Sequence, residues 1–390
     1  MNSFYEGEKF MEIKSNKISN FIFYLYFLLV LLSSTISAFS NIYSKYSLLI
    51  QSLLLIFLFL LNIKDILKEA KGFYLIIIIL LFSIFSVLVS NGGIGSFLNL
   101  FHFLGGLLIF NYLKINSKMK NFVYYICIIL WFFNIRLSFN AWNSHVTGES
   151  MFNPNGIAIF IFLTTIIIKS YLDEHKTKII KIGSILLYTI SLYCIYLTNC
   201  RTALIALLLY LLMNYIPVLN RIIAKYKKIL LCILIIVGIV FPVIYVNMYI
   251  NKESFEIPFM EKGLYTGRES LWYNMFEALG KENYGYMFGL GTSYYTHVGI
   301  INNFHNWYMG VLYTFGIPIF LMYYYYLIYF VSKIRKREIL YGLIAIFIIG
   351  FTETLGLWIG TQVYMFMCII VQKQILKEGD KDDNDIYANI

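Results

Sequence analysis

Long apolar runs with almost no polar residues constrain this chain more than any other feature of its sequence. The stretch from Leu75 to Val89 contains two serines and no charged residue. Hydrophobic residues make up 59% of the 390 residues, charged residues only 13%, and the mean hydropathy is +0.71. A soluble domain of this length could not bury so much apolar surface. We therefore expect an integral membrane protein in which one transmembrane domain occupies residues 1–390.

The apolar runs predict an all-α polytopic membrane protein with about twelve transmembrane helices. Backbone polar groups in lipid must be paired within the protein, which favours helices, and the alternation typical of barrel strands is absent. The predicted spans are residues 20–40, 47–63, 72–90, 97–113, 121–140, 156–170, 182–198, 201–219, 229–250, 305–331, 339–352 and 356–372.

Basic residues predict how these spans are oriented. Lys and Arg cluster in alternate loops, and only seven of the 31 basic residues fall in the loops between those clusters, leaving 24 on the other side. The positive-inside rule then places both termini in the cytoplasm of a multi-pass protein of the cell membrane. The net charge of +10 accordingly reflects topology, and we expect no nucleic-acid partner.

Two segments on the predicted outer side stand out by length. One covers about residues 141–155, and the other, residues 251–304, forms a large extracytoplasmic loop. Within the larger loop, residues from Arg268 to Leu279 predict an amphipathic helix lying along the membrane surface. Residues 373–390 are rich in aspartate and are predicted to be a disordered cytoplasmic tail.

Arginines near the outer face are candidates for binding an anion. Arg201 begins an otherwise apolar helix, where it either anchors the helix at the interface or offers its guanidinium fork to a phosphate. Arg268 opens the amphipathic helix, where it either forms a surface salt bridge or adds charge to a helix N-terminus that already favours anions. Arg136, near the outer end of the fifth span, is a third candidate.

Proton-transfer candidates lie at the same face. His305, followed by Asn306, starts the tenth span, and its imidazole could accept a proton from a sugar hydroxyl or simply be hydrogen-bonded at the interface. Glu353 is the acid near the outer end of the last hairpin, where it is either a solvated loop residue or a carboxylate that orients a sugar or His305. His102, within the fourth span, is interpreted as a packing residue or as a polar residue that links neighbouring helices by hydrogen bonds.

Several motifs are absent from the sequence. The outer segments contain no Asp–x–Asp pair, and the chain has no P-loop, no Gly–x–Ser–x–Gly nucleophile motif and no Cys/His metal cluster. The five cysteines lie in or beside apolar spans and are interpreted as packing residues. We therefore expect neither a metal nor a cofactor.

Four short motifs occur in a characteristic order around the large outer loop. They are Asn199–Cys200–Arg201–Thr202–Ala203, Gly267–Arg268–x–x–x–Trp272, Gly289–x–Gly291 and His305–Asn306. In this order they resemble the O-antigen ligase/polymerase superfamily, which includes Wzy-type polymerases of O-antigen and capsular polysaccharide. The resemblance covers residues 150–370, whereas the first 150 residues match by hydropathy alone.

The resemblance implies a metal-independent membrane glycosyltransferase that uses a polyprenyl-pyrophosphate-linked oligosaccharide as donor and, for a polymerase, a second lipid-linked unit as acceptor. It implies that Arg201 and Arg268 bind the pyrophosphate, that His305 activates or positions the acceptor, and that Arg136, Asn306 and Trp272 join the substrate site. A flippase and a chain-length regulator are the partners it implies.

Three functions remain open after this comparison. Ligases of the family carry a motif that looks like His–Asn, nine residues, Gly, two residues, and then Gly, Thr or Tyr. Here Gly316 follows His305–Asn306 at that spacing, but the last position of the motif is Ile319. This departure favours a polymerase over a ligase. A non-catalytic flippase or transporter is the third possibility, although ionisable residues at one interface favour chemistry there. Whether His305 or Glu353 is the general base is left open.

Overall fold

Helices account for the architecture of the chain. The computed structural model describes residues 2–35, 46–67, 70–90, 94–147, 153–174, 178–251, 268–291, 304–355, 357 and 359–373, and these contain no strand. The helices are α1 (Asn2–Thr35), α2 (Ser47–Leu61), α3 (Ile63–Leu67), α4 (Ala70–Ser90), α5 (Ile94–Tyr112), α6 (Ser117–Thr147), α7 (Pro154–Glu174), α8 (Lys178–Leu197), α9 (Arg201–Tyr215), α10 (Pro217–Ile250), α11 (Arg268–Lys281), α12 (Gly285–Phe288), α13 (Trp307–Ser332), α14 (Arg337–Ile349) and α15 (Ile359–Gln372).

Eight helices in the described part of the chain are long and apolar enough to cross a membrane. These segments are Lys17–Thr35, Gly72–Ser90, Ile94–Tyr112, Ser117–Ala141, Pro154–Glu174, Ile180–Leu197, Pro217–Ile250 and Trp307–Ser332. The part of the chain that the structure describes is therefore all-helical and multi-pass, as predicted. The number twelve is not confirmed, because α2, α9, α14 and α15 have only 15, 15, 13 and 14 residues. Helices of that length extend about 20–22 Å, short of the roughly 30 Å of hydrocarbon.

α13 lies at the centre of the bundle and is buried along most of its length. Aromatic side chains of its first turn and its middle pack together: the ring centroids of Tyr308 and Tyr324 are 5.2 Å apart, and those of Trp307 and Phe347 on α14 are 5.4 Å apart. The Trp307 indole N–H donates to the Tyr323 hydroxyl at 3.0 Å. This hydrogen bond allows the Trp307 and Tyr323 rings to be buried with their polar atoms paired to each other.

α13 is broken in its middle, which the sequence prediction of one continuous span over residues 305–331 did not anticipate. Gly316 has a φ of 78°, and Pro318 follows within the same helix. In a regular helix the Thr314 carbonyl would accept from residue 318, but proline has no N–H. The Tyr313 carbonyl would accept from residue 317, which lies beyond the left-handed glycine.

The Gly289–x–Gly291 segment supplies the donors that the broken helix lacks. The Leu290 N–H donates to the Tyr313 carbonyl at 2.7 Å, and the Gly291 N–H donates to the Thr314 carbonyl at 3.1 Å. The hydroxyl of Ser86 on α4 donates to the Phe288 carbonyl. Residues 285–291 are thereby held between α4 and α13, and the two carbonyls that lack a donor within α13 are paired.

Close backbone contact requires glycine on both sides of this junction. A Cβ at Gly289 would lie 2.5 Å from the backbone of Thr314, and one at Gly316 would lie 2.4 Å from the Met287 carbonyl oxygen. Both residues also have a positive φ, 74° and 78°, which other L-residues rarely adopt.

A group of charged side chains, which we name the lysine clasp, joins the helix ends at the opposite side of the bundle from Glu353. It consists of Glu174, Lys120, Lys336 and Lys373. Glu174 Oε1 lies 2.6 Å from Lys120 Nζ and 2.9 Å from Lys336 Nζ. Lys336 also donates to the Ser170 carbonyl at 2.9 Å, and Lys373 donates to the Leu113 carbonyl. Cations placed on the carbonyl ends of α5 and α7 are favourable to the helix dipoles.

The prediction that His102 packs and links helices is confirmed. Its side chain is fully buried, with Nε2 at 2.9 Å from the Tyr26 hydroxyl and Nδ1 at 2.5 Å from Gln362 Oε1. The imidazole therefore connects α5 to α1 and to α15. A buried polar group in a membrane core needs such partners.

Candidate functional site

Glu353 lies in the turn that follows α14, and two long-range contacts hold it. Its Oε1 accepts a hydrogen bond from the amide of Asn155, in the first turn of α7, at 2.8 Å. The same oxygen lies 3.3 Å from Nη2 of Arg268, the first residue of α11. Three segments distant in sequence thus meet at one carboxylate, and the alternative of a solvated loop glutamate does not describe it.

Burial controls the protonation of Glu353. The residue is only 5% exposed, and this burial raises the pKa of its carboxyl group to about 7, against the opposing effects of the Arg268 charge and the Asn155 hydrogen bond. A carboxyl group with a pKa near neutrality is well matched to accept and release a proton at physiological pH.

His305 occupies a left-handed backbone conformation immediately before α13. Its φ is 51°, and the described residues contain one other non-glycine residue with a positive φ, Asn199 at 55°. Burial lowers the pKa of His305 to about 4, and the nearby positive charge of Arg268 contributes in the same direction. The imidazole is consequently neutral at physiological pH and can act as a hydrogen-bond donor and acceptor.

Asn306 is fully buried, and both ends of its amide are used by the protein. Its Oδ1 accepts from the Met309 N–H at 2.7 Å, which caps α13, and its Nδ2 donates to the Phe351 carbonyl at 2.9 Å. The Trp307 N–H donates to the Gly350 carbonyl at 2.8 Å. Asn306 thus fixes His305 beside the turn that carries Glu353.

Trp272 lies one helical turn after Arg268 and is 1% exposed. Its indole N–H donates to the Phe304 carbonyl at 2.9 Å, and its ring meets those of Phe241 and Tyr245 on α10 edge to face. The predicted amphipathic helix is present as α11, and Trp272 anchors it to α10 and to the residue that precedes His305.

Arg201 is the first residue of α9, half-buried and adjacent to the same turn. The hydroxyl of the next residue, Thr202, lies 2.8 Å from that of Thr352, which precedes Glu353. Burial raises the pKa of the neighbouring Cys200 thiol to about 11, and the charges of Glu353 and Arg268 also act on that thiol. The start of α9 is therefore close to both members of the Arg268–Glu353 pair.

The structure thus brings Arg268, His305 and Glu353 to one end of the bundle, together with the start of α9, where Arg201 lies. α9 begins there with Arg201, and α11 begins there with Arg268. Two helix N-termini, each carrying an arginine, form an environment suited to an anion. A neutral imidazole and a carboxyl group of raised pKa lie beside it.

Other candidates are not part of this convergence. Arg136 has an exposed side chain on α6, and none of the contacts described for the four converging residues involves it. Two further histidines fall in the predicted outer segments: His297 lies outside the described residues, as does the side chain of His145. Among the residues that the structure describes, no three His, Cys, Asp or Glu side chains gather in a group that could hold a metal ion.

Asn155 is not among the candidates drawn from the sequence, because Asn153–Pro154–Asn155 is adequately explained as the cap of the sixth predicted span. Asn153 does act as the cap, since its Oδ1 accepts from the Asn155 N–H at 3.0 Å. The Asn155 side chain instead contacts Glu353. An asparagine in the first turn that is not needed as the cap is the signal that could have identified it.

Comparison with known proteins gives one family. The profile described as O-antigen ligase matches residues 186–324, a stretch that includes Arg201, Arg268 and His305. Searches of curated proteins and of solved structures give no match. The family match supports the resemblance found from the motifs.

Proposed function

We propose that this chain, a member of the O-antigen ligase/polymerase superfamily through residues 186–324, is a membrane glycosyltransferase that polymerises polyprenyl-pyrophosphate-linked oligosaccharide units into O-antigen or capsular polysaccharide. The observation that carries the proposal is the convergence of two arginines, a neutral imidazole and a buried carboxyl group at two helix N-termini. The reaction takes place on the outer face of the cell membrane, with both termini of the chain in the cytoplasm.

Pyrophosphate is the group that this arrangement fits. The Arg201 and Arg268 guanidinium groups can each form two parallel hydrogen bonds with phosphate oxygens. The N-terminus of α9 adds the positive end of a helix dipole at the same place. Charge that develops on the leaving pyrophosphate is stabilised by groups already in position, and such preorganised electrostatic stabilisation supplies much of the rate enhancement in many enzymes.

The chemistry joins two lipid-linked glycans. A hydroxyl oxygen of the acceptor unit bonds to the anomeric carbon of the donor, while the bond from that carbon to the pyrophosphate oxygen breaks. The bonding electron pair leaves with polyprenyl pyrophosphate, and the hydroxyl proton passes to a base of the protein. His305 and Glu353 are the two candidates for that base.

A polymerase is preferred over the two alternatives for stated reasons. Ile319 stands where ligases of the family have Gly, Thr or Tyr, which disfavours transfer to a distinct acceptor. Transporters typically bind substrate and coupling ions near the bilayer midplane, whereas Arg268, His305 and Glu353 lie together at one end of the bundle, which disfavours a flippase. The flippase and the chain-length regulator that the family implies would be separate proteins.

A reconstitution experiment tests the proposal. Purified protein supplied with polyprenyl-pyrophosphate repeat units is expected to produce a ladder of glycan lengths. The variants R201A and R268A are each expected to lower ladder formation by at least about a hundredfold, because each removes a charge-assisted contact to the leaving group. R268K keeps the charge but loses the fork, so partial activity is expected.

The matched control for charge is K281A. Lys281 lies on the same helix as Arg268, is exposed and pairs only with Glu277 at 2.8 Å in the described part of the chain. Its removal is expected to leave the ladder unchanged. Translocation of labelled units without lengthening would establish a flippase instead, and transfer to a different lipid or wall acceptor would establish a ligase.

A further inference from the structure

The two oxygens of Glu353 have different surroundings. Both protein contacts, from Asn155 Nδ2 at 2.8 Å and from Arg268 Nη2 at 3.3 Å, go to Oε1. Oε2 makes no hydrogen bond to any residue that the structure describes, and it is not among the fully buried polar atoms. A carboxylate held through one oxygen and accessible through the other has a fixed direction for accepting a proton.

We propose that Asn155 is a positioning residue, which together with Arg268 holds Oε1 of Glu353 so that Oε2 accepts the proton of the attacking acceptor hydroxyl. This inference rests on the proposed function and decides between its two candidate bases. His305 then serves as a neutral hydrogen-bonding group that orients the acceptor.

Asn155 is suited to this role because of where α7 begins. Asn153 caps the helix, which leaves the Asn155 side chain available for Glu353. α7 is among the most buried helices, so its first turn is a rigid base for the contact. An amide can donate without carrying charge, and a hydrogen bond to the ionised form of a carboxyl group stabilises that form.

The charged and titratable groups around Glu353 come from the elements packed against its turn. They are Arg268 of α11, the Cys200 thiol before α9 and His305 before α13. Arg201 begins α9 one residue before Thr202, whose hydroxyl contacts that of Thr352. The Asn155 bond opposes the effect of burial on the pKa of Glu353. Its removal should raise that pKa further, so that activity is lost at a higher pH than in the wild type.

The first arm of the test is kinetic. Wild-type ladder formation, as kcat/KM, is expected to fall as the pH drops through about 7, because the proton acceptor becomes protonated. This fall in rate is the acid limb of the pH profile, and N155A should move its midpoint upward by about one pH unit. The N155A rate should then be about tenfold below the wild-type rate at pH values under the wild-type midpoint, and within about threefold of it near pH 9.

N155D provides a variant of the same size and shape. It places a second carboxylate beside Oε1, and like charges at that distance raise the apparent pKa of the pair, so the limb should move further than in N155A. N153A is the matched control in the same turn: it removes the cap without touching Glu353, and its acid limb should stay at the wild-type pH. If N155A fails to fold, N155D still tests the role of Asn155, because it is a separate variant with a side chain of nearly the same shape.

The second arm measures Glu353 directly, without turnover. In infrared difference spectra recorded during a pH titration, the band of the protonated carboxyl group that E353Q lacks reports on Glu353. Its midpoint is expected to shift upward in N155A and N155D by the same amount as the acid limb. An acid limb that stays in place in both variants, or a carboxyl midpoint that does not move, would overturn the inference.

The two proposals fail in different ways. A wild-type protein that forms no ladder would refute the proposed function and this inference with it. A wild-type ladder whose acid limb is unchanged in N155A and N155D would refute only the role of Asn155 and Glu353, and would return the proton to His305.

Discussion

Two residues with left-handed backbone conformations direct the chain into the candidate site. Asn199, with a φ of 55°, precedes the segment that starts α9, and His305, with a φ of 51°, precedes α13. Such conformations cost about 1 kcal/mol or more in a non-glycine residue, and asparagine and histidine are among those that tolerate them best. At both positions the strained residue lies next to groups that converge on Glu353, as expected for strain retained at a functional site.

The backbone of His305 and its imidazole can be tested separately. H305N keeps a side chain that tolerates the left-handed region but removes the imidazole, so the rate is expected to fall by about ten- to a hundredfold while the thermal unfolding midpoint stays near that of the wild type. The acid limb near pH 7 should remain, because it belongs to Glu353. Ladder assays over a range of pH, with melting curves in detergent, check both statements.

H305A serves as the comparison for strain. Alanine tolerates the left-handed region less well than asparagine, so H305A should unfold at a lower temperature than H305N at similar activity. Disappearance of the acid limb in H305N would contradict this assignment and identify the imidazole as the titrating base.

At the scale of elements, the broken α13 and the segment 285–291 form one structural unit. The helix lacks N–H donors for the carbonyls of Tyr313 and Thr314, and Leu290 and Gly291 of the segment 285–291 supply them. This contact also fixes α11, which immediately precedes the segment and carries Arg268. The position of Arg268 therefore depends on a break located elsewhere in the bundle.

Glycine substitutions at the junction measure its importance. G316A and G289A are each expected to destabilise the protein by about 3 kcal/mol, because a Cβ would meet backbone atoms at 2.4–2.5 Å and the left-handed backbone would be strained. Ladder formation should fall with them, since α11 loses its support. Thermal unfolding in detergent and the reconstituted assay are the measurements.

G280A is the matched control for these substitutions. A Cβ at Gly280, on α11, would meet nothing within 4 Å, so stability and activity should change little. Equal behaviour of G280A and G316A would show that the junction does not hold α11 in place.

Residue types beside the apolar helices predicted the converging groups, whereas contacts between distant segments could not be predicted. Arg201, Arg268, His305 and Glu353 stood out because charged or titratable residues are rare next to apolar helices. The pairing of Arg268 with Glu353 depends on tertiary packing that no local pattern encodes. Asn155 was missed because capping gave a sufficient local explanation. The break in α13 was missed because the apolar run was counted as one span, although Gly316 and Pro318 are residues that interrupt helices.

At the scale of the whole molecule, α7 connects two polar clusters. Asn155 near its start contacts Glu353, and Glu174 at its end belongs to the lysine clasp, 19 residues later. At 1.5 Å per residue the two clusters are about 28 Å apart along the helix, close to the thickness of the hydrocarbon core. This spacing is what two clusters at the opposite interfaces of a bilayer require.

Cysteine labelling tests the orientation of the molecule. In a variant in which the five native cysteines are replaced, K281C is expected to react with a membrane-impermeant maleimide in intact cells, and K118C only after lysis. Both positions are exposed, so accessibility depends on the side of the membrane alone. Labelling of K118C in intact cells would reverse the orientation inferred from the basic loops.

The junction between Gly289–x–Gly291 and α13 also determines how this chain could recombine with its relatives. The hydrogen-bond donors at Leu290 and Gly291 precede their acceptors at Tyr313 and Thr314 by 23 residues each. A crossover between these positions would join the segment that donates these hydrogen bonds from one parent to a broken helix from another. Only parents whose backbones match at this junction would therefore yield a folded hybrid. Residues 285–332 are accordingly the smallest block to exchange when a chimeric enzyme with a different loop is built.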